Sequence, residues 1–199
     1  MTAFSRILSL IVVGVALVVS MPASSVAELN QAASQPTDLP PAPTGYEWHV
    51  STNGVGRFLK PNGWFVKEEV IKNTNALFIT KHDFTASGRF DIGLTVNQIN
   101  DFSKKNSIAP SVYALKFIDT LRTKKEIIKS GTVKGNKTDM HIAQIRGSNN
   151  GVMTDVHYIT VGDDEKDIMY LLFFEAPEKV WEEEMKTVSP MLNIFGLGL

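Results

Sequence analysis

The sequence contains no cysteine. Disulfide bonds, thiol catalysis, iron–sulfur clusters and cysteine zinc sites are therefore excluded, as is a lipoprotein anchor, which needs a cysteine at its processing site. An excess of either charge is also lacking, because 20 lysine and arginine residues stand against 21 aspartate and glutamate residues. The net charge of −1 gives no general reason to expect nucleic acid or an anionic membrane surface as a partner.

Familiar catalytic motifs are missing as well. The sequence holds no Gly-x-Ser-x-Gly elbow, no Ser-x-x-Lys and no His-Glu-x-x-His motif. His82, Asp83 and Asp91 could be drawn as acid–base groups, but no nucleophile or metal centre accompanies them, and solvent-facing loop residues are the simpler interpretation. We therefore predict a protein without catalytic activity and without a cofactor.

One apolar run near the start is too short to span a bilayer. Residues 7–19 form a run of 13 residues, whereas a membrane helix needs roughly 20. Arg6 precedes the run, and Ser25-Val26-Ala27 follows it as a small-x-small cleavage site. These three parts predict a signal peptide over residues 1–27, and hence a periplasmic or secreted protein with no transmembrane span after cleavage. Retention of the segment as a membrane anchor is the alternative.

The next segment, residues 28–44, is rich in proline, alanine and glutamine and has few large apolar side chains. Such a composition cannot build a core and predicts a disordered arm. The remaining chain, residues 45–199, is long enough for one domain with its own hydrophobic core.

Two strands and a helix near the end organise this domain. Residues 152–161 alternate in the period-two pattern of an antiparallel strand. Residues 167–175 are apolar on both faces, which predicts a central strand that is covered on both sides. Pro177 and the acidic residues after it indicate the start of an amphipathic helix, which Pro190 should kink or split.

The rest of the domain adds further strands and one more long helix. Predicted strands are residues 46–50, 55–60, 76–81, 90–99, 127–134 and 139–146, and a predicted helix starts at Ser111. This order predicts an α+β fold, in which an antiparallel β-sheet is flanked by helices. Trp64 and Trp181 lie in apolar patterns and are predicted to be core aromatic residues.

Two short motifs resemble those of the PsbP-like family, which comprises exported relatives of the extrinsic photosystem II subunit. Residues 58–64 read Phe-Leu-Lys-Pro-Asn-Gly-Trp, similar to the family's Phe-x-x-Pro-x-Gly-Trp, and residues 173–177 read Phe-Phe-Glu-Ala-Pro before Trp181. The resemblance covers roughly residues 46–195. It implies an α/β/α sandwich and favours an accessory or binding role, with another extracytoplasmic protein as partner.

A metal-binding protein or a metal-dependent enzyme is the alternative function. Asp155 and His157 are two residues apart on one strand and hence on one face, and His141 lies on the preceding strand. A one-residue choice of register decides whether His141 shares that face. These three side chains could bind zinc or manganese, and the resemblance keeps this alternative open because some family members bind such ions.

Two surfaces are candidates for binding a partner. The first is the polar face of residues 90–99, formed by Asp91, Gly93, Thr95 and Asn97. The second is a basic region around the end of the first long helix, which could dock on an acidic protein or a lipid surface. Its residues are Lys116, Arg122, Lys124, Lys125, Lys129, Lys134 and Lys137.

Overall fold

The computed structural model of the protein describes residues 39–85, 88–135 and 137–193. The strands are β1 (Tyr46–Val50), β2 (Arg57–Pro61), β3 (Phe65–Ile71), β4 (Thr74–Thr80), β5 (Gly93–Ile99), β6 (Glu126–Val133), β7 (Met140–Asn149), β8 (Val152–Asp163) and β9 (Ile168–Pro177). The α-helices are α1 (Phe102–Asn106), α2 (Pro110–Lys124) and α3 (Trp181–Asn193), and a 3-10 helix (Glu178–Val180) precedes α3.

Seven strands form one antiparallel sheet in the order β3-β4-β5-β9-β8-β7-β6, and β1 and β2 form a separate hairpin. β9 is the middle strand, as its apolar sequence predicts. Tyr170, Leu172 and Phe174 enter one hydrophobic core, whereas Met169 and Leu171 enter the other. The predicted α+β fold, with helices on an antiparallel sheet, is confirmed.

The two sides of the sheet are covered by different elements. On one side, here called the α3 face, α3 and the β1–β2 hairpin bury side chains such as Leu59, Leu94 and Trp181. On the other side, the α2 face, α2 packs over β7, β8 and β9 with Phe117 and Ile118 buried. Burying each such side chain stabilises the fold by roughly 1.5–3 kcal/mol, so the two layers together hold the sheet as a sandwich.

The start of α2 is fixed by the loop that joins β8 to β9. Asp164 accepts hydrogen bonds from the backbone N–H and the hydroxyl of Ser111, at 2.9 and 2.6 Å, although the preceding Ala109 provides no side-chain cap. Gly162 lies so close to this helix start that a Cβ there would be 2.1 Å from Ser111 N. Only glycine fits this position, because the obstructing atoms belong to the backbone.

α3 presents most of the predicted apolar stripe to the core. Trp181 and Val188 are buried, and Met185 and Leu192 are partly buried; the predicted Phe195 lies outside the described residues. The expected split at Pro190 is wrong, because α3 continues through it to Asn193. The proline stands so near the helix end that only one short turn follows it.

The sequence did not reveal the β3–β4 hairpin as a whole. β3 is an edge strand whose centre carries three charged residues, and its apolar Phe65 is 45% exposed rather than seated under the sheet. Trp64 is only partly buried against the core, whereas Trp181 is 5% exposed, so the prediction of core burial is confirmed for Trp181.

The compact unit begins at Pro40, five residues before the predicted domain start. Trp48 Nε1 donates a hydrogen bond to the Pro40 carbonyl at 2.7 Å, and Ala42 packs against the α3-face core. The predicted signal peptide and residues 28–38 of the predicted arm lie outside the described residues. Among the residues that are described, no helix is long and apolar enough to cross a membrane.

Candidate functional site

The turn between β7 and β8 sets the register on which the predicted metal site depended. Asn150 and Gly151 both have positive φ, 50° and 81°, and they form a two-residue turn between the paired residues Asn149 and Val152. This is the backbone conformation that an Asn-Gly pair favours in tight hairpins. The turn fixes every pair along the two strands.

In this register, His141 lies opposite Thr160, and His157 lies opposite Gln144. Side chains alternate between the faces of a strand, so His141 is on the α2 face while Asp155 and His157 are on the α3 face. The hypothesis of a zinc or manganese site from these three residues is therefore wrong. Within the described ranges, no group of three or more His, Asp or Glu side chains could hold a metal ion.

Asp155 is instead the centre of a buried ion pair. Its side chain is 1% exposed, and Arg146 donates to both of its oxygens, at 2.7 and 2.9 Å. Gln144 adds a third hydrogen bond at 3.1 Å, and Arg146 also pairs with Glu178 at 2.6 Å. A carboxylate that is saturated in this way is a structural group.

The two histidines of the hypothesis are separately accommodated. His141 Nδ1 lies 3.0 Å from the hydroxyl of Thr132, and burial lowers its pKa. Burial, with a smaller effect from Lys129, lowers the pKa of His157 to about 4, and its buried Nδ1 has no hydrogen-bond partner among the described residues. His157 is therefore a neutral core histidine at physiological pH.

The polar face predicted for residues 90–99 is present on β5. Leu94 and Val96 point into the α3-face core, and Gly93, Thr95 and Asn97 alternate with them onto the α2 face. The neighbouring strand β9 places Glu175 opposite Gly93 and Phe173 opposite Thr95. We call these five residues the β5–β9 strip; they are Gly93, Thr95, Asn97, Phe173 and Glu175.

Glu175 is the unusual ionisable group of the strip. Burial, together with the nearby charge of Asp91, raises its pKa to about 7. Within the described part of the chain its carboxylate has no hydrogen-bond or ion-pair partner. Its register neighbours explain this isolation, because Gly93 on β5 and Val156 on β8 offer no polar side chain.

Thr95 and Asn97 supply further hydrogen-bonding groups. Thr95 is 2% exposed, and its hydroxyl has no hydrogen-bond partner among the described residues. Asn97 is half-buried and donates one hydrogen bond to the Leu171 carbonyl at 3.3 Å, a contact that leaves its amide oxygen available. An unsatisfied buried polar group costs about 1–3 kcal/mol, so this arrangement is not explained by stability.

Aromatic rings border the strip on both sides. Tyr158 on β8 stacks between Phe117 of α2 and Phe173 of the strip, with ring centroids 5.7 Å apart in both pairs. On the other side, Phe78 of β4 packs against Phe84 and Phe90 from the segment between β4 and β5. The strip is thus a short polar segment between two aromatic clusters.

The aromatic residues also respond to the charge of the strip. Burial and the nearby carboxylate of Glu175 raise the pKa of Tyr158 to about 12. Phe90 lies directly over Gly93, since a Cβ at that glycine would be 2.8 Å from the Phe90 ring. The absence of a side chain at Gly93 therefore leaves room for the Phe90 ring over this position of the strip.

Three of the seven residues of the predicted basic region have acidic neighbours. Ion pairs join Arg122 to Asp119 at 2.7 Å and Lys134 to Asp139 at 2.6 Å. Lys137 lies 3.7 Å from Glu165. These pairs weaken the positive field on which electrostatic docking would depend.

No protein-family model matches the sequence, and no curated protein matches it. Several solved structures are similar in fold at low sequence identity. One is cyanobacterial PsbP (CyanoP) from Synechocystis sp. PCC 6803, with a TM-score of 0.46, 11% identity, and coverage of 81% of this chain and 96% of that chain. Another is the Ran-binding protein Mog1p of Saccharomyces cerevisiae, with a TM-score of 0.45, 9% identity, and coverage of 74% and 93%.

A third is LpqN of Mycobacterium tuberculosis, described as involved in cell envelope biogenesis, with a TM-score of 0.38, 10% identity, and coverage of 77% and 79%. Cyanobacterial PsbP, whose family the sequence motifs resemble, is among the solved structures that are similar to this chain.

Proposed function

We propose that this chain is an exported, non-catalytic domain that binds another extracytoplasmic protein through the β5–β9 strip. One observation carries the proposal: the buried hydroxyl of Thr95 has no partner among the described residues, and the half-buried Glu175 on the adjacent strand and the same face forms no ion pair there. Buried polar groups are normally satisfied. Departures from that rule are typical of functional sites, where a ligand completes the missing bonds.

The strip is a better binding surface than the basic region. Three of the seven cations of the basic region, Arg122, Lys134 and Lys137, already have acidic neighbours. The strip, in contrast, presents an unpaired carboxyl, a hydroxyl and an amide oxygen beside aromatic rings. Interfaces commonly combine aromatic residues with a few hydrogen-bonding groups.

Export is the second part of the proposal, and it rests on the sequence of residues 1–27. Arg6, the 13-residue apolar run and the Ser25-Val26-Ala27 site together make a secretory signal. Intact-mass measurement on protein from its native compartment tests this part. A mature chain that starts at Glu28 is expected, and a chain that still contains Arg6 would contradict it.

Affinity capture from the native envelope, at low and at moderate salt, tests the binding surface. The wild-type domain is compared with Asn97→Arg, which adds bulk and charge to the strip, and with Lys125→Glu, which alters the basic region. We expect a reproducible partner that is lost with Asn97→Arg and is retained with Lys125→Glu at both salt concentrations.

The salt series separates the two surfaces, because interactions between exposed charges are screened beyond about 10 Å at 0.1 M salt. If capture survives Asn97→Arg but fails with Lys125→Glu or at moderate salt, the partner binds the basic region and the assignment to the strip is wrong.

A further inference from the structure

The charge around Glu175 is unbalanced. Asp91 is the neighbouring charged group that acts on the Glu175 carboxyl, and it is also acidic. Neither carboxylate forms an ion pair within the described residues. Lys67, on the same face of β3, already pairs with Glu69 at 2.6 Å and lies over the ring of Phe84. Glu175 of the strip and the neighbouring Asp91 are therefore two carboxylates without an ion pair among the described residues.

Thr95 provides an independent indication that a polar group is absent from the strip. Thr95 is only 2% exposed, and it lies on the strand next to that of Glu175 and on the same face of the sheet. Its hydroxyl oxygen has no hydrogen-bond partner among the described residues. A ligand that donates hydrogen bonds would satisfy Thr95, and the same donor type would suit Glu175 and the amide oxygen of Asn97.

The aromatic rings beside the strip restrict the chemical class of ligand that the strip could bind. At one border Tyr158 packs against the strip residue Phe173, and at the other border Phe78 packs against Phe90. A donor-rich cation with an alkyl stem is favoured between aromatic faces and a carboxylate, through cation–π attraction and burial of the stem. The position of Lys67 over Phe84, 5.4 Å from the ring centroid, is an internal example of this pairing.

From this geometry we propose that the β5–β9 strip binds an alkylammonium group, which sits between Glu175 and the flanking aromatic rings and donates hydrogen bonds to Thr95 and Asn97. The proposal rests on the proposed function and specifies what the strip recognises. Two sources share this chemistry: a lysine side chain of the partner protein and a free diamine. A bare metal ion fits the site less well, because it prefers several oxygen or nitrogen ligands and the rings provide none.

Titration of the isotope-labelled domain at pH 8, followed by amide chemical shifts, tests the inference. The probes are an acetylated and amidated Gly-Lys-Gly peptide, the same peptide with its lysine Nε-acetylated as an uncharged control, and 1,5-diaminopentane. We expect shifts centred on β5 and β9 with the charged peptide or the diamine, and at least tenfold weaker binding of the acetylated peptide.

Two variants with the same loss of charge complete the design. Glu175→Gln should weaken binding at least tenfold, while Glu182→Gln, an exposed residue on α3, should leave binding unchanged. Equal binding by Glu175→Gln, equal binding of the acetylated peptide, or no shift with either cation would overturn the inference. The capture experiment with Asn97→Arg is independent of the cation titration. If a partner is captured through the strip but neither cation binds, the proposed function stands and only the alkylammonium assignment is rejected.

Discussion

Two buried carboxylates on neighbouring strands have opposite surroundings. Asp155 on β8 faces α3, and Glu175 on β9 faces the α2 side. Asp155 stands opposite Arg146 on β7, and it binds that guanidinium through both oxygens. Glu175 stands between Gly93 and Val156, so no side chain across the ladder can bond to it.

The difference shows that register, rather than burial alone, decides whether an acid in the sheet has a hydrogen-bonding partner across the ladder. Both acids lie in apolar stretches of strand. One receives three hydrogen bonds from β7, and the other is left with an acidic neighbour and a raised pKa. Perturbed ionisable groups without structural partners are the better candidates for a binding site.

Removal of the paired carboxylate, Asp155, should have the largest effect on the stability of the fold. Asp155→Ala leaves Arg146 half-buried without its main partner, and removal of one member of a buried ion pair typically costs about 3–5 kcal/mol. We expect a loss of about 3 kcal/mol in the free energy of unfolding, measured by urea denaturation at pH 7, because Glu178 retains part of the interaction with Arg146.

Asp139→Ala is the matched control, since it breaks a similar pair with Lys134 at the surface. Exposed pairs contribute little, so this variant should unfold near the wild-type midpoint. If the two variants were equally stable, the Asp155 ion pair would not be a structural element.

The fold was largely predictable because its signals are local. The apolar sequence of residues 167–175 placed β9 at the centre, and alternation placed Thr95 and Asn97 on a polar face. The β3–β4 hairpin was not predicted as a whole, because β3 is an edge strand that needs only one buried face and charged residues dominate its centre. These elements depend on their own residues or on immediate neighbours.

The site was less predictable because it depends on pairs between strands. The Asn150-Gly151 dipeptide, interpreted as a two-residue turn, would have fixed the β7–β8 register and separated His141 from His157. Glu175 had one signal, a single acid at the end of a central apolar strand. The sequence could not predict that the Glu175 carboxyl lacks a partner, because this depends on Gly93 and Val156 lying beside it in the folded sheet.

The unpaired carboxyl predicts a distinct pH dependence of stability. The pKa of Glu175 is about 7 in the folded protein and near 4.5 in the unfolded chain, so the folded state binds the proton more tightly. The resulting stabilisation is complete below pH 4.5 and is lost as the pH rises through 7. The two pKa values differ by about 2.5, so at about 1.4 kcal/mol per pKa unit the loss is about 3.5 kcal/mol.

Glu175→Gln removes this titration. Thermal unfolding at pH 5.5 and pH 8 should show that the variant gains stability over the wild type as the pH rises, whereas Glu182→Gln follows the wild type. A constant difference between Glu175→Gln and wild type across this range would mean that Glu175 is ionised normally.

The α3 face should show the reverse dependence through His157. Its pKa is lowered from an ordinary value of 6.5 to about 4, so the folded state resists protonation. Its stabilising contribution is present above pH 6.5 and is lost as the pH falls through 4. His157→Leu should therefore lose less stability than wild type between pH 7 and pH 4.5, as measured by thermal unfolding. His82→Leu, outside the sheet, should retain the wild-type slope; an unchanged slope in His157→Leu would show that His157 does not resist protonation.

The smallest expected effect compares two buried threonines on the α2 face. Thr160 is fully buried and donates to the Ala114 carbonyl at 3.0 Å, whereas the Thr95 hydroxyl has no partner among the described residues. Valine has the same shape as threonine without the hydroxyl. Thr95→Val should therefore stabilise the domain by about 1 kcal/mol, and Thr160→Val should destabilise it by about the same amount.

Urea denaturation measures both changes in stability, and Thr95→Val should also weaken binding of the charged peptide. A loss of stability in Thr95→Val would mean that a bound water already satisfies the hydroxyl, and that a ligand donor is not needed there.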